Sequence, residues 1–177
     1  MRLILLILCA AGFLFISSGC ESNNGKNSTD VDKNNLSVGV MGLDDLKRKI
    51  NNREGKILFI NFWATWCKPC VDEFPALVKL AENNKNNDVE FLSLSVDLIK
   101  EINSNVIPFI EKQKVNFPVF VIPEKESDEV IGFISEEWNG AIPATAIYDT
   151  QGKLVEFITG AETYESFQQK IEKILNQ

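Results

Sequence analysis

Between Leu43 and Leu175 the apolar residues keep switching between two spacings, and that alternation constrains the fold more than any other feature of the chain. Leu43, Leu46, Lys47 and Ile50 have helical spacing, Gly55 punctuates, and the unbroken run Ile57-Leu58-Phe59-Ile60 then reads as a buried strand. Asn61 to Trp66 lead out of that strand into Cys67. Val71, Phe74, Leu77, Val78 and Ala81 put an amphipathic helix over Pro69 to about Asn83. A strand over Val89 to Val96 follows, then a helix over Val106 to Lys114 with Pro108 in its first turn. Phe117 to Ile122 is a further apolar strand and Glu126 to Ile134 a short helix. Ala144 to Tyr148 and Lys153 to Ile158 flank the turn Asp149-Thr150-Gln151-Gly152 as a hairpin, and a last helix covers Tyr164 to Leu175. Strands alternating with helices and closing on a hairpin plus helix predict an α/β sandwich with a mixed central sheet.

A chain of 177 residues with 45% apolar content buries one core, so a single folded domain is expected. The formal charge of −7 gives no reason to expect nucleic acid, whose binding rests on basic surface. The chain has no histidine, which excludes a Ser-His-Asp triad, a Cys-His pair and every His-ligated metal site.

Met1 and Arg2 begin the chain with positive charge, and Leu3 to Ile16 form an apolar run of 14 residues. That is short for a bilayer span, which takes about 20, and it reads as an export signal over residues 1–19. Ser17-Ser18-Gly19-Cys20 resembles the end of a bacterial lipoprotein signal, with Ser17 where such signals usually carry Leu. Cys20 is therefore the candidate for lipidation and membrane anchoring, the alternatives being a cleaved soluble form or an uncleaved N-terminal anchor. Residues 20–37 are polar and asparagine-rich and are expected to form a flexible tether, with a root-mean-square span of roughly 20–25 Å. Cys9 then leaves with the signal, Cys20 takes the lipid, and Cys67 and Cys70 are the thiols of the domain over residues 38–177. An exported location is one where disulfides persist.

A Cys-X-X-Cys where a strand hands over to a helix puts the first sulfur beside unpaired backbone N–H groups and the positive end of the helix dipole. That environment favours the thiolate, so Cys67 is the expected attacking sulfur and Cys70 the resolving one. Half a zinc site is the structural alternative, but a zinc site needs four ligands and the chain offers no second pair. No metal and no organic cofactor are expected.

The stretch F-I-N-F-W-A-T-W-C-K-P-C-V-D-E-F-P resembles the TlpA/ResA-like branch of the thioredoxin superfamily, membrane-tethered disulfide reductases of the bacterial cell envelope. The resemblance continues through I-P-A-T-A-I-Y-D-T-Q-G-K-L-V and Gly160, covering roughly residues 40 to 175. It implies a thioredoxin-like three-layer sandwich, with an extra central βα element fitted into the 72 residues between Cys70 and Pro143. It also implies a cis Ile142-Pro143 bond against the disulfide, with the Ile142 backbone available to pair with an extended substrate chain. Where cytoplasmic thioredoxins keep a buried aspartate this chain has Asn61, which takes no proton. Glu73 matches a glutamate of the branch, shares a helix face with Cys70, and is the expected proton carrier, the alternative being a solvated helix glutamate.

Lys68 and Pro69, inside the motif, are the candidates for redox tuning. Trp66 reads as a partly exposed wall of the substrate groove and Trp63 as packing, while Trp138 reads equally as core or as groove rim. A peroxiredoxin reading fails because Thr65 is two residues before Cys67 rather than three. The expected activity is reduction of protein disulfides by exchange, with a membrane thiol electron carrier as recharging partner. The same atoms run backwards as a disulfide donor, and a tethered peptide-binding module without turnover is the rival from another class.

Overall fold

A computed structural model describes residues 38–52 and 54–176. The expected signal, Cys20 and the tether lie outside the described residues. The elements run β1 (Gly39–Val40), α1 (Leu43–Asn51), β2 (Ile57–Trp63), α2 (Lys68–Asn84), β3 (Val89–Ser95), α3 (Ile107–Gln113), β4 (Val119–Val121), α4 (Ser127–Ile134), β5 (Ala144–Tyr148), β6 (Leu154–Thr159) and α5 (Tyr164–Leu175). They build a six-stranded sheet of order β1-β4-β3-β2-β5-β6. β1, β4, β3 and β2 are mutually parallel, and β5 runs antiparallel to both β2 and β6. This is the mixed sheet that the alternation predicts, with β4 between β1 and β3.

The period of two in β2 sorts its side chains onto the two faces. Phe59 and Trp63 pack with Phe74 and Leu77 of α2, Ile110 of α3 and Phe167 of α5 on one side. Leu58, Ile60 and Phe62 pack with Leu46 of α1 and Val130 of α4 on the other. Helices thus cover both faces, giving three layers with β2 at the centre.

β2 runs three residues past the apolar run, because Asn61, Phe62 and Trp63 all find partners on neighbouring strands. The segment before α3 is already helical: a turn over Ile99–Glu101 passes into a wide π turn over Ile102–Val106. β1 has no apolar pattern of its own. It is held on the edge by β4, where Gly39 lies so close to the Phe120 ring that a Cβ would sit 2.7 Å from it. At the hairpin the Asp149 carboxylate accepts the N–H groups of Gln151 and Lys153, and Gly152 takes the left-handed conformation at φ +93°.

Candidate active site

Residues 64–67 carry the chain from the C-terminal end of β2 into α2, and the two cysteines sit at that junction. Cys67 is the N-cap of α2 with extended φ,ψ, and its sulfur accepts the Cys70 N–H at 3.3 Å. Pro69 falls in the first turn, where a missing N–H costs no helix hydrogen bond. Cys67 and Cys70 are joined as a disulfide with Cα atoms 5.3 Å apart, Cys67 6% exposed and Cys70 1%. Both are therefore buried, Cys70 the more completely.

The loop before β5 closes over it. The Ile142-Pro143 bond is cis, and the Ile142 carbonyl oxygen lies 3.7 Å from the Cys67 sulfur. Pro143 is buried and its own carbonyl accepts the Gly160 N–H at 2.8 Å, which ties this loop to the end of β6. The structure therefore brings Cys67, Cys70, Ile142 and Pro143 together, as the resemblance implies.

Glu73 lies one turn beyond Cys70 on the buried side of α2 and is 4% exposed. One carboxylate oxygen accepts the Asn61 amide at 3.2 Å, the other the Glu162 backbone N–H at 2.7 Å. The Asn61 amide also donates to Thr145 across the β2–β5 pairing at 3.4 Å, and the Asn61 side-chain oxygen Oδ1 has no partner among the described residues. Burial pushes the Glu73 carboxyl up from the usual 4.5 to about 7, and the charge of Glu162 pushes the same way, against the lowering pull of the two hydrogen bonds. Near neutral pH this group exchanges a proton readily, one turn from a thiol. It is not a solvated helix glutamate.

A model of the AhpC/TSA family matches residues 30–157. A thiol-disulfide oxidoreductase ResA of Bacillus cereus is 32% identical over 172 residues, which span 97% of this chain and 93% of that protein. The chain belongs to the AhpC/TSA family, in its ResA-like branch. The ResA of Bacillus subtilis (strain 168) is 28% identical over 165 residues, 91% of this chain and 83% of that one. The fold is also that of a thioredoxin-family thiol:disulfide interchange protein of Chlorobium tepidum TLS (TM-score 0.61, 24% identity, 70% of this chain and 82% of that one). StoA of Bacillus subtilis shares it as well (TM-score 0.51, 20% identity, 66% of this chain and 82% of that one). With its Cys67–Cys70 disulfide, this ResA-like chain is a thiol–disulfide oxidoreductase of thioredoxin fold.

The three tryptophans of the ResA-like chain divide sharply. Trp66, next to Cys67, is 68% exposed and forms an open apolar wall. Trp63 is fully buried against Phe74 and Phe109, as packing. Trp138 is core rather than rim: its ring packs on Phe62 and Phe157, and its N–H donates to the Ala141 carbonyl at 2.9 Å, bracing the chain just before the cis bond. Lys68 stands in solvent, and its ammonium donates to Asp72 one turn on at 2.6 Å. Part of its charge is answered there.

Two groups escape a reading of the sequence. Glu162 reaches Glu73 from the β6–α5 loop through its backbone, which no motif marks. Asp97, two residues past β3, is 1% exposed and bound to Thr65. Its only signal is an acid placed directly after an apolar strand. Among the described residues no cluster of His, Cys, Asp and Glu is placed to hold a metal ion, and no helix is long and apolar enough to cross a membrane.

Proposed function

We propose that the chain reduces protein disulfides outside the cytoplasm, held to a bacterial membrane by a lipid on Cys20 and recharged by a membrane thiol electron carrier. The observation that carries this reading is the inequality of the two sulfurs. Cys67 caps the helix, its sulfur beside the Ile142 carbonyl and on the Cys70 N–H, while Cys70 lies inside the first turn and is the more deeply buried of the two. The Cys67 thiolate attacks one sulfur of a substrate disulfide. An S–S bond forms between enzyme and substrate, and the other substrate sulfur leaves as thiolate. Cys70 then gives its proton to Glu73, attacks Cys67 and closes the enzyme disulfide, releasing the second substrate thiolate. Two electrons pass to the substrate, and the carrier returns them by the same exchange.

The substrate backbone lies along Ile142 as an added strand, and Trp66 covers its side chains. Exchange runs on the protein's own sulfurs, with no organic cofactor. The direction is tested by the reduction potential of the Cys67/Cys70 couple together with insulin reduction. A value near −270 mV, about that of thioredoxin, with turnover of insulin supports the reductive reading. A value near −120 mV, about that of a strong disulfide donor, overturns it. Anchoring is tested separately by fractionating Cys20→Ser protein with its signal removed; retention in the membrane at the parent level sinks the lipid assignment.

A further inference from the structure

Asp97 is a buried carboxylate that no step of the proposed exchange uses. Among the described residues no lysine or arginine pairs with it. A charge buried without a counter-ion is held by hydrogen bonds, and Asp97 has three donors. One oxygen accepts the Thr65 backbone N–H at 2.9 Å and the Ser95 hydroxyl at 2.6 Å, and the other accepts the Thr65 hydroxyl at 2.5 Å. Asp97 is itself fixed, its N–H donating to the Ser95 oxygen at 2.9 Å. Both of its oxygens therefore close on a single residue, two places before Cys67.

That residue belongs to the short connection carrying the redox pair. The Trp63 carbonyl accepts the Val96 N–H at 2.9 Å, and the Ala64 carbonyl accepts the Cys67 N–H at 3.2 Å. With Thr65 clamped by Asp97, each of the three residues ahead of Trp66 is tied down, two of them to the end of β3. Trp66 is consequently turned outward and Cys67 is set at the N-cap, where its sulfur meets the Cys70 N–H.

We propose that Asp97 is a positioning residue for thiol–disulfide exchange: by gripping Thr65 it holds the Cys67 sulfur on the Cys70 N–H at the start of α2. The proposal rests on Cys67 being the attacking sulfur, which mixed-disulfide trapping with Cys70→Ser tests on its own. Thiolate stabilisation by that N–H and by the helix N-terminus depends on placement, so a slackened turn raises the Cys67 pKa and slows its reaction at neutral pH.

The sign separates this from simple electrostatics. Deleting a nearby negative charge, taken alone, favours the thiolate and lowers the thiol pKa. Loss of the clamp raises it. Thr65→Val separates the two further, since Lys68, Asp72 and Glu73 on α2 and Asp97 itself all keep their charges, and the cis-proline loop 139–143 carries none.

The test uses the reduced full-length chain and follows iodoacetamide alkylation of Cys67 against pH, mapped to its own peptide by mass. We expect Asp97→Ala to slow alkylation at pH 7 about tenfold, equivalent to about 1.4 kcal/mol, the size of one hydrogen bond to a charged group. The profile should move to higher pH. Thr65→Val should move it the same way by about threefold, with Thr65→Ser at the parent rate because the hydroxyl is restored. Should Asp97→Ala fail to fold, the Thr65 pair decides. A Cys67 profile unchanged in Thr65→Val, or displaced to lower pH in Asp97→Ala, makes Asp97 a purely structural residue and overturns the proposal.

Discussion

Helix α2 presents two faces within one turn of the same cysteines, and they carry ionisable groups of opposite fate. On the inner face Cys70, Glu73, Phe74 and Leu77 are buried, and the Glu73 carboxylate accepts hydrogen bonds from the Asn61 amide and the Glu162 backbone N–H. On the outer face Lys68 and Asp72 lie in water and neutralise each other. In a medium of low polarity a charge has large consequences, and in water small ones. Leverage on the sulfurs should therefore follow burial rather than nearness in sequence.

The largest expected effect tests whether the two sulfurs, one at the helix N-cap and one inside its first turn, are distinct. Cys67→Ser should abolish exchange, whereas Cys70→Ser should accumulate substrate as a mixed disulfide on Cys67, seen as an adduct by mass spectrometry. An adduct on Cys70 in the Cys67→Ser chain, with none in the reverse variant, would reverse the roles.

Glu73→Gln comes next, and it has two readouts. As the proton carrier for Cys70, Glu73 should be worth on the order of 10² in exchange rate, with the loss spread unequally across the pH profile. Stability gives a second and independent sign. A carboxyl whose folded pKa is raised from 4.5 to about 7 contributes stability that is full below 4.5 and is lost as the pH climbs through about 7. The oxidised parent should thus lose about 3 kcal/mol from this group between pH 4.5 and 7.5, and Glu73→Gln should not. Urea unfolding at the two pH values measures it. Equal pH dependence in both proteins would return Glu73 to the solvated surface.

How far the sequence foretells this difference depends on the distance over which each residue finds its partner. Glu73 is legible because its spacing from Cys70 on one helix is local, and the helix is declared by Phe74, Leu77 and Ala81. Its burial is decided elsewhere, by Glu162 some 89 positions away and by Thr145 on a strand paired to Asn61. Asp97 stays hidden for the same reason, since a single acid after a strand reads as a surface turn until Thr65 is brought against it. β1 is two residues long and owes its conformation to β4. The polar segment Ile102-Asn103-Ser104-Asn105-Val106 has weak helix formers, so its wide turn is not visible in the sequence. Trp138 reads both ways in the sequence because the pattern cannot tell a ring packed on Phe62 from one lining a groove.

Trp66 is the case that tests a rule based on burial alone, because the proposed function has it cover the substrate. At 68% exposure its removal should leave stability almost unchanged. Against a peptide disulfide substrate, Trp66→Ala should raise KM about tenfold with kcat nearly constant, the pattern of lost uniform binding. A fall in kcat at unchanged KM would place Trp66 in the positioning of Cys67 instead.

The smallest effect is expected at Lys68, although it stands next to Cys67 in the chain. A cation here stabilises the thiolate, hence the reduced form, and makes the couple more oxidising. Its ammonium is already engaged by Asp72 and its side chain is 80% exposed, so water and the neighbouring carboxylate both reduce what reaches the sulfur. Exposed pairs of this kind contribute a few tenths of a kcal/mol, and about 1.4 kcal/mol corresponds to 30 mV in a two-electron couple. Lys68→Met should therefore move the potential to more negative values by less than about 10 mV. Asp72→Asn frees the ammonium and should move it the other way by a similar amount. Measured against glutathione at one pH and low salt, opposite small shifts that vanish at about 1 M salt would confirm a screened surface charge. A shift of about 30 mV or more in either variant would mean that the outer face of α2 reaches the sulfurs as strongly as the inner one, and burial would no longer be what separates them.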